Sequence, residues 1–138
     1  MIYVDSNVIL DALDDDPIWF DWSAEQLKRG QADGQLVTGW VVAAEVGHYL
    51  SSASLLQERL ESLHIDLLDL NFEAAWFGGH AYREYRRRGG DRMSLLPDFL
   101  IGGHAKALGA TLLTRDARRF RSYFPELALI TPEENKND

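Results

Sequence analysis

No cysteine occurs among the 138 residues, so the chain has neither a disulfide framework nor a thiolate metal site, in keeping with an expected cytoplasmic location. No apolar run approaches the roughly 18 residues needed to cross a bilayer, so no membrane partner is expected. The chain opens on a β-prone segment instead of a basic stretch followed by an apolar one, so no secretory signal is expected. Repeats, low-complexity tracts and linkers are missing too, which implies one domain over residues 1–132 and a polar, frayed tail over 133–138. Basic residues are scarce early on: residues 1–82 carry 3 against 14 acids, whereas residues 83–138 carry 11 against 8. A formal net charge of -8 argues against a general nucleic-acid binder, because affinity for phosphate comes mainly from cations. Arginines gathered at 83–92 and 115–121 still admit nucleic acid, provided metal ions neutralise the nearby acids.

The 46% hydrophobic and 26% charged content is ordinary for a globular domain with a proper core. Ile2 to Val4 form a short apolar strand, followed at once by Asp5, Ser6 and Asn7. Val8, Ile9, Leu10, Ala12 and Leu13 can then face a core as helix. Asp14-Asp15-Asp16-Pro17 marks a solvated loop, with Pro17 in the first turn of a helix running to about Arg29. Asp33-Gly34 is a turn, residues 35–38 a second strand ending at Gly39, and residues 40–50 a helix. Ser54-Leu55-Leu56-Gln57 has the pattern of a capping box for a helix to about Leu63. Residues 65–70 form a third strand, and Asn71 caps a long helix that stops at Gly89-Gly90. A helix over 95–108 and strands at 111–114 and 127–130 complete the chain. Strands separated by helices predict an α/β fold whose mainly parallel sheet is covered on both faces.

That topology decides which acids can meet. In open α/β sheets the ligand crevice lies beyond the carboxyl ends of the strands. Asp5 follows the first strand and Asp116 the fourth. Glu45 lies about a turn into the helix after the second strand, and Asp98 follows Pro97 in the first turn of its own helix. All four can approach one crevice, whereas Asp11, Asp33, Asp66 and Glu126 share no such placement. Taken alone, Asp5 is more simply a helix cap. Four converging carboxylates would repel one another unless a cation sat between them. The matching cation is hard and divalent, Mg²⁺ or Mn²⁺, whose bound water can attack a phosphodiester without a protein nucleophile.

Four segments carry a family resemblance. They are Val4-Asp5-Ser6-Asn7, Ala44-Glu45-Val46 after a Thr-Gly strand end, and the stretches Leu96-Pro97-Asp98-Phe99-Leu100-Ile101-Gly102-Gly103-His104-Ala105 and Leu112-Leu113-Thr114-Arg115-Asp116-Ala117-Arg118-Arg119-Phe120. In this order and spacing, with Phe124-Pro125-Glu126-Leu127 and Ile130-Thr131-Pro132 closing the chain, they resemble the PIN-domain ribonucleases, in particular VapC-type toxins. The resemblance implies a three-layer α/β/α sandwich and a Mg²⁺- or Mn²⁺-dependent endoribonuclease. Asp5, Glu45, Asp98 and Asp116 would hold the metal, with Ser6, Asn7 and Thr114 orienting those acids. It also implies an RNA substrate, a homodimer, and a cognate antitoxin whose C-terminal segment runs through the crevice. His104 is bulkier than its neighbours Gly102, Gly103 and Ala105 in a run that relatives keep small. Some relatives carry a further acid near the third or fourth position, whereas Arg115 stands beside Asp116 here.

Arg86, Arg87 and Arg88 fall in the last turn of a helix, where cations complement the dipole. Arg115, Arg118 and Arg119, with Arg121, lie beside Asp116 and are the candidates for phosphate contacts. Trp19, Trp22, Trp40 and Trp76 sit at helical spacings and read as core or dimer contacts more than as base-stacking platforms. The rival chemistry is a di-iron protein using the pairs Glu45/His48 and Glu61/His64, which would require further inward glutamates and almost no strand. A phosphoaspartate enzyme would want Asp-x-Asp where Asp5-Ser6-Asn7 stands. A receiver domain would want an acid pair before a lysine-bearing last strand. The non-enzymatic rival is a catalytically inactive PIN-like scaffold that binds protein or RNA.

Overall fold

The computed structural model describes residues 1–90 and 95–132. The tail at 133–138 and Arg92, both considered above, lie outside them. Five strands, β1 (Ile2–Val4), β2 (Leu36–Gly39), β3 (Ile65–Leu68), β4 (Thr111–Leu113) and β5 (Leu129–Ile130), pair in parallel in the order β3-β2-β1-β4-β5. The helices are α1 (Ser6–Leu13), α2 (Phe20–Asp33), α3 (Trp40–Gly47), α4 (Ala53–Ser62), α5 (Phe72–Arg87), α6 (Leu96–Leu108) and α7 (Ala117–Tyr123). The arrangement is the expected α/β/α sandwich. A parallel sheet with both faces covered must be apolar throughout, and Tyr3, Val4, Leu36, Val37, Leu112 and Leu113 are accordingly buried.

Succession along the sheet reverses at β1, with β2 and β3 to one side and β4 and β5 to the other. The crevice above such a switch point is where ligands bind in open α/β sheets. Beyond the pair Val4–Leu113, the Asp5 N–H donates to the Leu113 carbonyl at 3.0 Å and the Thr114 N–H to the Ile130 carbonyl at 3.1 Å. These bonds carry the ladder one residue past the strand ends and fix Asp5 and Thr114 side by side at that edge.

Some local expectations change. Ser52, not Ser54, caps α4: its backbone is extended and its hydroxyl accepts the Leu55 N–H at 3.1 Å. α2 begins at Phe20 and not at Pro17, because Asp16 Oδ1 accepts the N–H groups of Ile18 and Trp19 and holds them in a turn ahead of it. α7 was not foreseen. Ala117, Phe120 and Phe124 follow a helical spacing and are buried, but the arginines between them broke the apolar pattern. Asn71 caps α5 as expected, accepting the Ala74 N–H at 2.9 Å.

α5 and α6 pack backbone to backbone. A Cβ on Gly103 would lie 2.6 Å from the Ala74 carbonyl oxygen, so only glycine permits this approach. His104, bulky among those small residues, is accommodated under Gly39, where its Nδ1 meets the Tyr3 hydroxyl at 3.0 Å. Trp40 and Trp76, expected as core or dimer contacts, are not part of the core, being 56% and 62% exposed. A di-iron bundle is excluded by the five-stranded sheet, and His48, Glu61 and His64 are exposed. Among the described residues, no helix is long and apolar enough to cross a membrane.

Candidate functional site

Asp5 is both the cap of α1 and a member of the acid group. Its backbone is extended, the residue is 5% exposed, and both its oxygens accept hydrogen bonds, Oδ1 also taking the Ser6 hydroxyl at 3.5 Å. The Ser6 N–H donates to Oδ1 at 2.7 Å and the Thr114 hydroxyl to Oδ2 at 2.8 Å. Thr114 Oγ1 in turn accepts the Asp116 N–H at 3.0 Å, so one hydroxyl links the first and last acids. Asp116 is exposed at the start of α7, its carboxylate making no capping bond to the helix. Glu45 projects from the second turn of α3, half-buried, with Oε1 enclosed and without a hydrogen-bond partner. Asp98 stands in the first turn of α6 just after Pro97, partly buried and ion-paired to Arg119 of α7.

The charges of these acids reach one another. Burial pushes the Asp5 carboxyl above the usual range; the Thr114 and Ser6 bonds offset part of this, and Asp98 and Asp116 raise it further. Burial also raises Glu45, as do Asp5 and Asp98, while the Ser6 side chain draws it down. Asp98 is raised by burial, lowered by Arg119, and raised again by Asp116. Tyr3, beneath the group, is raised by burial and by the fields of Asp5 and Glu45. Asp5, Glu45 and Asp98, contributed by β1–α1, α3 and α6, are thus each raised by a neighbouring acid, and Asp116 of the β4–α7 turn acts on Asp5 and Asp98.

The donor set suits a hard cation, since every group offered is a carboxylate oxygen and one of them, Glu45 Oε1, is buried with nothing to bond. Among the described residues, no three histidine or carboxylate side chains stand together as a metal-holding group. Arg119 engages Asp98 Oδ2.

The remaining expected residues divide. Asn7 Oδ1 accepts the Arg115 N–H at 3.3 Å, so Asn7 holds the β4–α7 turn in place. Arg115 turns away from the acids into a two-bond pair with Asp11, at 2.7 and 2.9 Å, and its guanidinium lies 5.1 Å from the Trp19 ring centroid. Arg118 is exposed and forms no ion pair among the described residues. Asp11, set aside in the sequence reading, is 3% exposed and also accepts the Ser23 hydroxyl at 2.7 Å. The signal that would have found it is its spacing from Asn7, one turn along the same helix, since both grip residue 115.

No curated protein sequence matches the chain. Solved structures share its fold. VapBC2 from Rickettsia felis, bound to a DNA fragment from its promoter, is 23% identical with a TM-score of 0.74, covering 95% of this chain and 98% of that one. VapBC-1 from nontypeable Haemophilus influenzae is 21% identical with a TM-score of 0.71, covering 95% and 98%. FitAcB from Neisseria gonorrhoeae is 23% identical with a TM-score of 0.68, covering 96% and 99%. At such identities the likeness speaks for the fold; family membership rests on sequence. The sequence model of the PIN domain matches from residue 2 of β1 to residue 124 just past α7, a span that holds all four acids, and the chain belongs to the PIN domain family.

Proposed function

We propose that this chain is a Mg²⁺- or Mn²⁺-dependent endoribonuclease, the VapC-type toxin of a toxin–antitoxin pair. The observation that carries the reading is the group of four mutually repelling carboxylates at the sheet's switch point, with Glu45 Oε1 buried and unbonded. PIN domains are generally nucleases that use divalent ions, and the fold is shared with VapBC and FitAB proteins.

Asp5, Glu45, Asp98 and Asp116 are the residues that would hold the cation. Once bound, the cation supplies a water of lowered pKa and positive charge at the scissile phosphate. The chain's own part is to orient and to exclude. Ser6 and Thr114 fix both oxygens of Asp5 and so set the orientation of its carboxylate. Asn7 and the Asp11–Arg115 pair hold the turn that carries Asp116. Arg118, exposed beside that turn, is the side chain placed to meet an RNA phosphate. An antitoxin that covers this crevice and a homodimer, both implied by the resemblance to VapC-type toxins, belong to the same proposal.

Incubation of a mixed RNA pool with the purified protein, in EDTA and then in Mg²⁺ or Mn²⁺, tests the reading. Internal cuts are expected only with the metal, and a matching antitoxin should suppress them. A protein that leaves RNA whole in every arm would be the inactive scaffold instead.

A further inference from the structure

We infer that Arg119 is a built-in counter-ion of the acid group, one that competes with the divalent cation for Asp98. The inference rests on reading the four acids as a metal site. Arg119 lies one turn along α7 from Asp116, and its guanidinium reaches across to Asp98 Oδ2 on α6. The two side chains are 34% and 25% exposed, so neither is free in solvent. Phe99, Phe120 and Phe124 lie beneath the pair, all buried, and this apolar floor limits the screening of its charges.

The neighbours explain why a cation is needed there. Asp98 faces the charges of Asp116 and, from α3, Glu45, and Asp5 lies close enough to feel it. Arg119 brings a guanidinium to these acids, and it sits on Asp98. Arg115, in the turn before α7, is taken up by Asp11 and does not share the task. A divalent ion that uses Asp98 Oδ2 must displace Arg119. The released guanidinium then remains at the crevice edge, where an RNA phosphate can take the place of Asp98. The same residue therefore weakens metal binding in the resting protein and strengthens RNA binding in the loaded one.

Mn²⁺ titration followed by electron paramagnetic resonance, which needs no RNA cleavage, tests this on the full chain. Arg119→Gln is compared with wild type and with Arg118→Gln, which removes an equal charge from the same helix without touching Asp98. Arg119→Gln is expected to bind Mn²⁺ about tenfold tighter than wild type, equivalent to about 1.4 kcal/mol, and Arg118→Gln no more than about threefold. At saturating Mn²⁺, Arg119→Gln should also bind a non-cleaved RNA oligonucleotide several-fold more weakly. Equal Mn²⁺ affinity in Arg119→Gln and Arg118→Gln overturns the inference while leaving the nuclease reading intact. Failure of all three proteins to bind Mn²⁺ overturns both. Tighter binding in Arg119→Gln by a protein that never cuts RNA sustains the counter-ion and sinks the nuclease.

Discussion

Asp5→Asn is expected to lose RNA cleavage by at least about three orders of magnitude and, in EDTA at neutral pH, to melt a few degrees above wild type. The loss follows from the position of Asp5. It is the most buried of the four acids and feels the charges of the other three. An amide there is a poor ligand for a hard cation, and removing such a ligand costs several kcal/mol of transition-state stabilisation, each 1.36 kcal/mol being about tenfold in rate. The gain in stability has the same origin. A carboxylate raised by burial and by like charges weakens the folded state while it is ionised. Asparagine keeps the shape and the Ser6 bond, and the second lone pair of the Thr114 hydroxyl, beside the one that takes the Asp116 N–H, can accept from the amide at the expense of the hydroxyl's own donated bond.

The sign of the pH dependence follows. The folded protein binds the Asp5 proton more tightly than the unfolded chain, whose aspartates titrate near about 3.9. The handicap of wild type is therefore full above the raised folded pKa and disappears as pH falls through it toward about 4. The difference in Tm between Asp5→Asn and wild type should be largest near pH 7–8 and close on acidification. Saturating Mn²⁺ should reverse the order, adding about 2.7 kcal/mol to wild type at a hundredfold excess over Kd and little to the mutant. Thermal melts of both proteins across pH, with EDTA or Mn²⁺, read all of this. A mutant that melts well below wild type in EDTA would show Asp5 to be only a structural cap.

Arg115→Ala is expected to cost about 3–5 kcal/mol of folding stability, because it leaves the Asp11 carboxylate buried without its partner. The pair is sheltered by design of the sequence: Asp11 is 3% exposed, bonded to Ser23, and roofed by Trp19 lying against the guanidinium. Replacing both partners, as in Asp11→Leu with Arg115→Leu, should cost less than Arg115→Ala alone, since no charge is then stranded. Urea denaturation of the single and double variants measures the coupling. Activity should fall with the single change as well, because the Arg115 backbone, held by Asn7, carries Thr114 on one side and Asp116 on the other. An Arg115→Ala loss within about 0.5 kcal/mol would mean the pair is a solvated one.

The fold was legible because its signals are local and redundant. Apolar runs at β1, β2 and β4 cannot alternate in a sheet covered on both faces, and Asn71 and Gly89-Gly90 bound α5 as their backbone preferences require. The placement of the acids at one edge followed from parallel topology, with no need for side-chain detail. α7 escaped because three arginines interrupt an apolar spacing of only seven residues. What escaped at the site was pairing. Nothing in the order Thr114-Arg115-Asp116-Ala117-Arg118-Arg119 says that Arg115 turns to Asp11, Arg119 to Asp98, and Arg118 to solvent. Those partners come from helices more than twenty or a hundred residues away, and charge counts cannot choose among them. Gly39 is a milder case: the space it leaves for Tyr3 and His104 is visible only once β2 and α6 are packed.

Anomalous scattering from Mn²⁺ in crystals of the full chain tests the central claim most directly. The account predicts a peak above the β1–β4 edge, about 2.1 Å from a carboxylate oxygen of Asp5 and from at least two of Glu45, Asp98 and Asp116, with Arg119 withdrawn from Asp98. A crystal saturated with Mn²⁺ that shows no peak there, or peaks only on surface acids such as Asp14, Asp15 and Asp69, would contradict it.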